Sequence, residues 1–219
     1  DCSGILERNQ QIRPADGFEK IDADSRIFIS NCVKDCKNQR KIAVLRGAKR
    51  NGIMRISIEN VTNILNANRI GDRNAEIDWI LTDSRSLCFA EETLFFALKT
   101  KRNDGHKYIP ELYDRGVRNF VVSDFPKELE RYSDANFLQL ANPLKGLQRL
   151  AEKYRARFDV PVVGITGSNG KTVVKEWLYQ LLSPERIITR SPRSYNSQIG
   201  VPLSVWLMTE RTELGIFEA

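Results

Sequence analysis

From residue 54 onward the chain alternates between two hydrophobic textures. In MRISIENVTNILNAN (54–68) a short alternation gives way to Val61, Ile64 and Leu65 at helical spacing, with Ser57 placed as an N-cap. Short apolar runs at Asp78–Thr82, Thr93–Leu98, Asn119–Val122 and Asn136–Leu140 read as strands. Between them, His106 to Arg115 reads as a helix closed by Gly116. Asn142 can cap a further helix with Pro143 at its first position, where a missing N–H costs nothing. That helix would carry Leu144, Leu147, Leu150, Ala151, Tyr154 and Phe158 on one stripe. The run Val160–Val163 then leads through a glycine turn into another helix, which Ser183-Pro184 stops. Phe95 and Phe96 read as core, as do Trp79, Trp177 and Trp206 in their apolar settings.

Strands alternating with helices predict an α/β protein with parallel sheets. Two units are expected to meet near residues 141–160: a small α/β domain over 54–141 and the start of a second domain over 142–219. The last residues, LGIFEA, read as an apolar strand, and too few strands are present for a complete sheet of that type. The chain is therefore expected to be a fragment whose final strand forms an unpaired apolar edge. Residues 1–53 lack sustained periodicity, apart from a candidate strand in DSRIFISNCV; a leader, an unrelated module and sequence upstream of the true start codon all stand open, and the segment is expected to be dispensable for folding.

Composition narrows this picture. Hydrophobic residues make up 41% and charged residues 28% of the 219, ordinary for a soluble globular chain. No window approaches the ~18 apolar residues of a membrane helix, and no signal peptide opens the chain, so a cytoplasmic protein without membrane insertion is expected. The four cysteines, at 2, 32, 36 and 88, form no C-x-x-C pair, and His106 is the single histidine, which argues against zinc. A Ser-His-Asp triad has no G-x-S-x-G elbow to support it. The net charge of +6 is uneven: residues 1–53 hold eleven Lys/Arg against seven Asp/Glu, and the remaining 166 hold 23 against 21. A solvated basic tail accounts for this better than a nucleic-acid surface, so no nucleic-acid partner is expected.

The chemistry lies in GITGSNGKT (164–172), between an apolar strand and a helix. Phosphates need backbone N–H donors at close range, which glycines permit, and the helix that follows aims its positive end at the anion. The spacing is not the common G-x-x-x-x-G-K-[ST], because Ile165 stands where the first glycine would be. It is the shorter G-x-x-G-K-[ST], with Gly167, Ser168, Asn169 and Gly170 in the loop. Lys171 would reach the terminal phosphates of ATP and the Thr172 hydroxyl would hold Mg²⁺.

This short loop resembles that of the Mur ligases and of the related folylpolyglutamate synthetases. Two further stretches carry the likeness to the Mur ligases: RSYNSQIGVPLS (193–204) in their central domain, and TDSRSLCFAEETLFFALKTKRNDGHKYIPELYDRGVRNFVVSD (82–124) in their N-terminal domain. The resemblance covers about residues 54–219. It implies that Asp83, Ser84 and Arg85, with Asp104, Gly105 and His106, face the UDP end of the substrate. For His106 a role in capping a helix start stands equally open. The resemblance further implies Lys171, Asn196 and Glu218 as catalytic groups, and Thr172 and Glu218 as Mg²⁺ ligands. Ser197 departs from the family pattern, which has a second asparagine beside Asn196.

Lys175 and Glu176 extend the loop to G-K-T-x-x-K-E, and with I-G-V-P-L this is typical of the family member that joins D-alanyl-D-alanine to UDP-N-acetylmuramoyl-tripeptide. The reaction so implied is ATP-driven amide formation through an acyl phosphate, in peptidoglycan precursor synthesis and hence in cell-wall growth and division. ATP and Mg²⁺ are the implied cofactors, and a monomer is expected. The family's carbamylated lysine and C-terminal domain would lie beyond Ala219, so the 219 residues alone are expected to be inactive. The alternatives are the family member that adds the third amino acid, and a non-catalytic module that binds nucleotide or UDP-sugar.

Overall fold

The computed structural model describes residues 55–100 and 103–219. The segment expected to be dispensable, 1–53, and its candidate strand lie outside these residues.

Ser57 accepts a hydrogen bond from the Asn60 N–H at 3.2 Å and opens helix α1 (Ile58–Leu65), which buries Ile58, Val61 and Leu65. Asn66, in the left-handed region at φ 51°, closes it. Strand β1 (Ile56–Ser57) pairs antiparallel with β3 (Glu76–Ile77) in a small ribbon beside the main sheet. That sheet has the order β2-β7-β6-β5-β4, from β2 (Asn68–Ile70), β4 (Trp79–Leu81), β5 (Thr93–Phe96), β6 (Asn119–Val122) and β7 (Asn136–Gln139). The run β4-β5-β6-β7 is parallel, and β2 lies antiparallel on the β7 edge.

Every residue of β5 and β6 is buried, as expected where both faces of a parallel sheet are covered. Leu94, Phe96, Val121 and Leu138 face a core shared with α1. Phe95, Phe120, Val122 and Phe137 face the opposite way, against Ile109 and Leu112 of α2 (Ile109–Asp114). Phe120 and Phe137 stack there with ring centroids 5.1 Å apart. The stretch read as one helix from His106 is in fact a 3-10 turn (Gly105–Tyr108) running into α2, and Pro110 sits in the first turn of α2.

Helix α3 (Pro143–Arg155) starts as its sequence dictates, with the Asn142 side chain accepting from the Lys145 N–H at 3.0 Å. Its stripe of Leu147, Leu150 and Tyr154 belongs to the core above α1 and also meets Trp206, Met208 and Phe217 from later in the chain. Tyr154 donates its hydroxyl to the Met208 carbonyl at 2.8 Å and stacks on Trp206, with ring centroids 4.3 Å apart. The Trp206 indole N–H in turn donates to the Asp78 carbonyl at 3.0 Å. One continuous core thus joins the two sheets through α3.

The second sheet holds β8 (Val162–Ile165), β9 (Ile188–Arg190) and β10 (Leu214–Glu218), all parallel, in the order β8-β10-β9. Helix α4 (Lys171–Leu182) joins β8 to β9, and α5 (Gly200–Val205) precedes β10. Here the structure corrects the sequence reading. The final strand is the central one, paired on both sides and buried at all five residues, so it is no unpaired edge. The apolar edge is β8 instead, with Val162 38% and Val163 39% exposed. Trp177 is also corrected: it is 68% exposed on α4, alongside exposed Val173, Val174 and Leu181. Helix α4 is apolar on most of its circumference, and only the side bearing Lys175, Leu178, Tyr179 and Leu182 meets the sheet. Periodicity alone could not tell which side that would be.

Candidate functional site

Two groups of candidate residues stand at the C-terminal ends of parallel strands, where open α/β sheets place their ligand sites. The first is the loop between β8 and α4. Gly167 has φ 138° and Gly170 has φ 77°, conformations that a side chain would strain. An added Cβ would meet nothing within 4 Å at either position, so backbone torsion and not crowding calls for glycine there. Residues 166–170 are exposed, and α4 begins at Lys171 directly after the loop. Lys171 Nζ folds back and donates to the Gly167 carbonyl at 2.6 Å.

Thr172, at the second position of α4, donates its hydroxyl to Glu218 Oε2 at 3.1 Å. Glu218 ends β10, fully buried, and its N–H donates to Ser191 Oγ at 3.1 Å. Residue 219 is also fixed: its N–H donates to the Ile165 carbonyl of β8 at 2.9 Å. A hydroxyl and a carboxylate 46 positions apart are thereby held together beside the loop. Lys175, one turn further along α4, buries its ammonium 2.9 Å from Glu218 Oε1 and donates to the Arg193 carbonyl.

Hard oxygen donors suit Mg²⁺, which takes one or two protein groups and fills its remaining positions with phosphate and water. Glu218 Oε1 is buried and ion-paired with the Lys175 ammonium at 2.9 Å, but no hydrogen-bond donor is aligned on it, so the carboxylate keeps acceptor capacity for a cation. Among the described residues no group of three or more His, Cys, Asp or Glu could cage a metal by itself. Thr172 and Glu218 therefore fit a Mg²⁺ that arrives with a nucleotide.

Asn196 is exposed on the loop between β9 and α5, three residues beyond Arg193. Its neighbour Ser197, the departure from the family pattern, serves the local backbone, where its hydroxyl accepts from the Gly200 N–H at 3.0 Å at the start of α5.

The second group follows β4, β5 and β6. Asp83 caps a 3-10 turn (Ser84–Ser86), accepting from the Arg85 N–H at 3.1 Å and pairing with the Arg85 guanidinium at 2.6 Å. The hydrogen bond from Arg85 holds the Asp83 carboxyl below the usual aspartate range, against the opposing effect of burial. Ser84 is buried, and its carbonyl accepts from Arg115 at 2.9 Å. Asp104 caps the next 3-10 turn and accepts from the His106 N–H at 3.0 Å, the bond that does most to lower its pKa. Gly105 is pressed against backbone: an added Cβ would lie 2.8 Å from the Leu98 nitrogen.

His106 bridges two of these loops. Its Nδ1 lies 2.6 Å from Asp104 Oδ1, and its Nε2 accepts from the Ser123 N–H at 3.0 Å. Asp104, His106 and Ser123 thus form an Asp-His-Ser arrangement, with Ser123 Oγ 3.2 Å from Nε2. It is no nucleophilic triad, because the Nε2 lone pair is taken by a backbone N–H and the serine hydroxyl donates to Asp124 at 2.8 Å. Sequence reading missed Ser123, whose signal was its place directly after a buried strand. It also missed Ser191, which nothing local marks, and gave no role to Arg193, the first residue of the 193–204 stretch. The structure gathers Lys171, Thr172 and Glu218 on the second sheet, and 83–85 with 104–106 on the first.

Residues 165–219 match the Mur ligase middle domain. The chain is 32% identical to the UDP-N-acetylmuramoyl-tripeptide–D-alanyl-D-alanine ligase of Bacillus subtilis over 143 residues, 65% of this chain and 30% of that one. It is 36% identical to the enzyme of the same name from Synechocystis over 142 residues, 65% of this chain and 30% of the relative. In three dimensions it is similar to the MurF ligase of Thermotoga maritima in complex with ADP, with TM-score 0.55, 30% identity, and coverage of 64% of this chain and 31% of that chain. The fold also matches the UDP-N-acetylmuramoylalanyl-D-glutamyl-2,6-diaminopimelate–D-alanyl-D-alanyl ligase from Acinetobacter baumannii, with TM-score 0.66, 22% identity, and coverage of 76% and 36%. The chain spans about a third of the length of the relatives it matches.

Proposed function

We propose that this Mur ligase-like chain carries the nucleotide loop and the UDP-substrate loops of an ATP-dependent amide ligase, one that adds D-alanyl-D-alanine to UDP-N-acetylmuramoyl-tripeptide in peptidoglycan precursor synthesis. The observation that carries this reading is the junction of loop, helix and strand at Lys171, Thr172 and Glu218. A phosphate-binding loop alone suits any nucleotide enzyme. A buried carboxylate brought to the first turn of its helix suits one that holds a metal–nucleotide for transfer.

A carboxylate is a poor acyl donor until its oxygen becomes a good leaving group. The γ-phosphoryl of ATP passes to the terminal carboxylate of the UDP-linked tripeptide, giving an acyl phosphate. The dipeptide amine then attacks the acyl carbon and phosphate leaves. The residues here serve positioning and charge. Loop N–H groups and the N-terminus of α4 stabilise the phosphates, and Lys171 exchanges the Gly167 carbonyl for phosphate oxygens. Thr172 and Glu218 would hold Mg²⁺, which when bound supplies further neutralisation of phosphate charge. Asp83, Ser84, Arg85, Asp104 and His106 line the strand ends where the UDP moiety would sit, with Gly105 allowing the close backbone approach. Asn196, open to solvent on its loop, is assigned to the acyl end.

No helix of the described residues is long and apolar enough to cross a membrane. A cytoplasmic monomer is the setting proposed, with 54–141 and 142–219 as its substrate and nucleotide units. The two groups of loops are expected to bind both ligands. Calorimetric titration of the chain with Mg-ADP and with UDP-N-acetylmuramoyl-tripeptide tests this. Saturable binding of each supports the reading, and loss of either overturns it.

A further inference from the structure

The ammonium of Lys175, like the Glu218 carboxylate it faces, has no solvent exposure. Enclosing an ammonium is costly unless it is paired and hydrogen-bonded, so each of its contacts is required by the others. It lies 2.9 Å from Glu218 Oε1 and 3.3 Å from Glu176 Oε1, and it donates to the Arg193 carbonyl. These partners come from three elements: the end of β10, helix α4 itself, and the loop that carries Asn196.

Thr172 and Lys175 are three residues apart and so share one face of α4. They divide the two oxygens of one carboxylate between them, the hydroxyl on Oε2 and the ammonium on Oε1. A hydrogen bond at one oxygen and an ion pair at the other together disfavour rotation of the carboxylate. Glu176 is itself paired with Arg190 of β9, and Arg190 lies over the Tyr179 ring at 3.6 Å, so the far side of the lysine is braced as well. The Arg193 backbone, at φ 49°, is in the left-handed region and turns its carbonyl to the ammonium.

We propose that Lys175 is a positioning residue of the metal–nucleotide site: it sets the plane of the Glu218 carboxylate for the cation and ties the Asn196 loop to the nucleotide helix. This rests on reading residues 167–172 as a Mg-nucleotide loop. Lys175, with no exposed surface to offer a ligand, acts through Glu218 and the Arg193 carbonyl. Groups of this kind, one shell behind a ligand, typically carry about 10–100-fold in metal affinity.

The test is a Mg²⁺ titration of the ADP-bound chain by calorimetry, together with ADP affinity in EDTA, for wild type, Lys175→Met and Lys175→Gln. Each variant is expected to need about 10–100-fold more Mg²⁺ while its ADP affinity in EDTA stays at the wild-type value. Lys175→Arg, which restores the charge without the same reach, is expected to recover part of the loss. A lysine that merely competed with the cation for Glu218 would give the opposite sign, tighter Mg²⁺ in Lys175→Met, and that result overturns the assignment. So does a parallel loss of ADP affinity with and without Mg²⁺. If all three variants fail to fold by circular dichroism, Lys175 is a structural ion-pair partner and the assignment falls. If the wild type binds no ADP, the loop reading itself fails and takes this inference with it, an outcome distinct from the others.

Discussion

Thr172 and Glu218, 46 positions apart, meet at 3.1 Å where the first turn of a helix faces the end of the central strand. That contact exists only because β10 inserts between β8 and β9, which brings its last residues alongside the loop that leaves β8. The nucleotide site is therefore a product of strand order. The loop contributes its glycines and Lys171, and the inserted strand contributes the carboxylate.

Lys171 is the residue whose removal should be felt by nucleotide alone. Its ammonium is bonded to a loop carbonyl and buttresses no core residue. Lys171→Ala is expected to weaken Mg-ADP binding by at least about tenfold, or about 1.4 kcal/mol, with an unchanged melting temperature. Equal affinity in titration calorimetry would contradict the loop assignment.

Trp206 and Trp177 should behave oppositely. Trp206 is buried, stacks on Tyr154 and bonds to the Asp78 carbonyl, so Trp206→Ala is expected to cost about 3–5 kcal/mol in urea unfolding. Trp177 is mostly exposed, and Trp177→Ala should change stability by no more than about 0.5 kcal/mol. A large loss from Trp177→Ala would mean that its face of α4 is covered in solution.

Asp104 should make part of the stability acid-sensitive. Its folded pKa is lowered from 3.8, chiefly by the bond from the His106 N–H. A depressed carboxylate contributes stability that is complete above its unfolded pKa and is lost as pH falls through the folded one. Asp104→Asn keeps a capping oxygen but cannot titrate. Melting temperatures of the two proteins should therefore differ most above pH 3.8 and converge in stronger acid. A difference independent of pH would show that the cap acts by geometry alone.

Gly105 should be intolerant of any side chain. An added Cβ would lie 2.8 Å from the Leu98 nitrogen and 2.9 Å from the Ala97 carbonyl carbon, both backbone atoms that cannot rotate away. Gly105→Ala is expected to destabilise by about 1–3 kcal/mol in denaturant unfolding, and to weaken UDP-substrate binding as the loop shifts. A neutral substitution would show that the loop has room the structure does not display.

Local chemistry along the chain determined much of what is seen. Ser57 and Asn142 cap their helices because a side-chain oxygen within reach of a free N–H needs no distant partner. The runs at 93–96 and 119–122 form buried strands because, after Thr93 and Asn119, every position is apolar. The loop at 167–172 was legible from the order of apolar strand, glycines, Lys-Thr and helix, and the left-handed torsion of Gly170 is one that glycine permits.

Tertiary structure decided the rest, because each remaining feature depends on which segments meet. Strand order put the last strand in the middle of its sheet, where sequence order suggested an edge. Packing chose the covered side of α4, burying Lys175 and leaving Trp177 outside, although the lysine is the more polar of the two. The ammonium is tolerated inside because Glu218, Glu176 and the Arg193 carbonyl surround it. Those partners come from the next residue and from positions 18 and 43 residues further along the chain. No pattern within one segment encodes a meeting of that kind, since it is fixed only when long-range strand pairing closes the sheet.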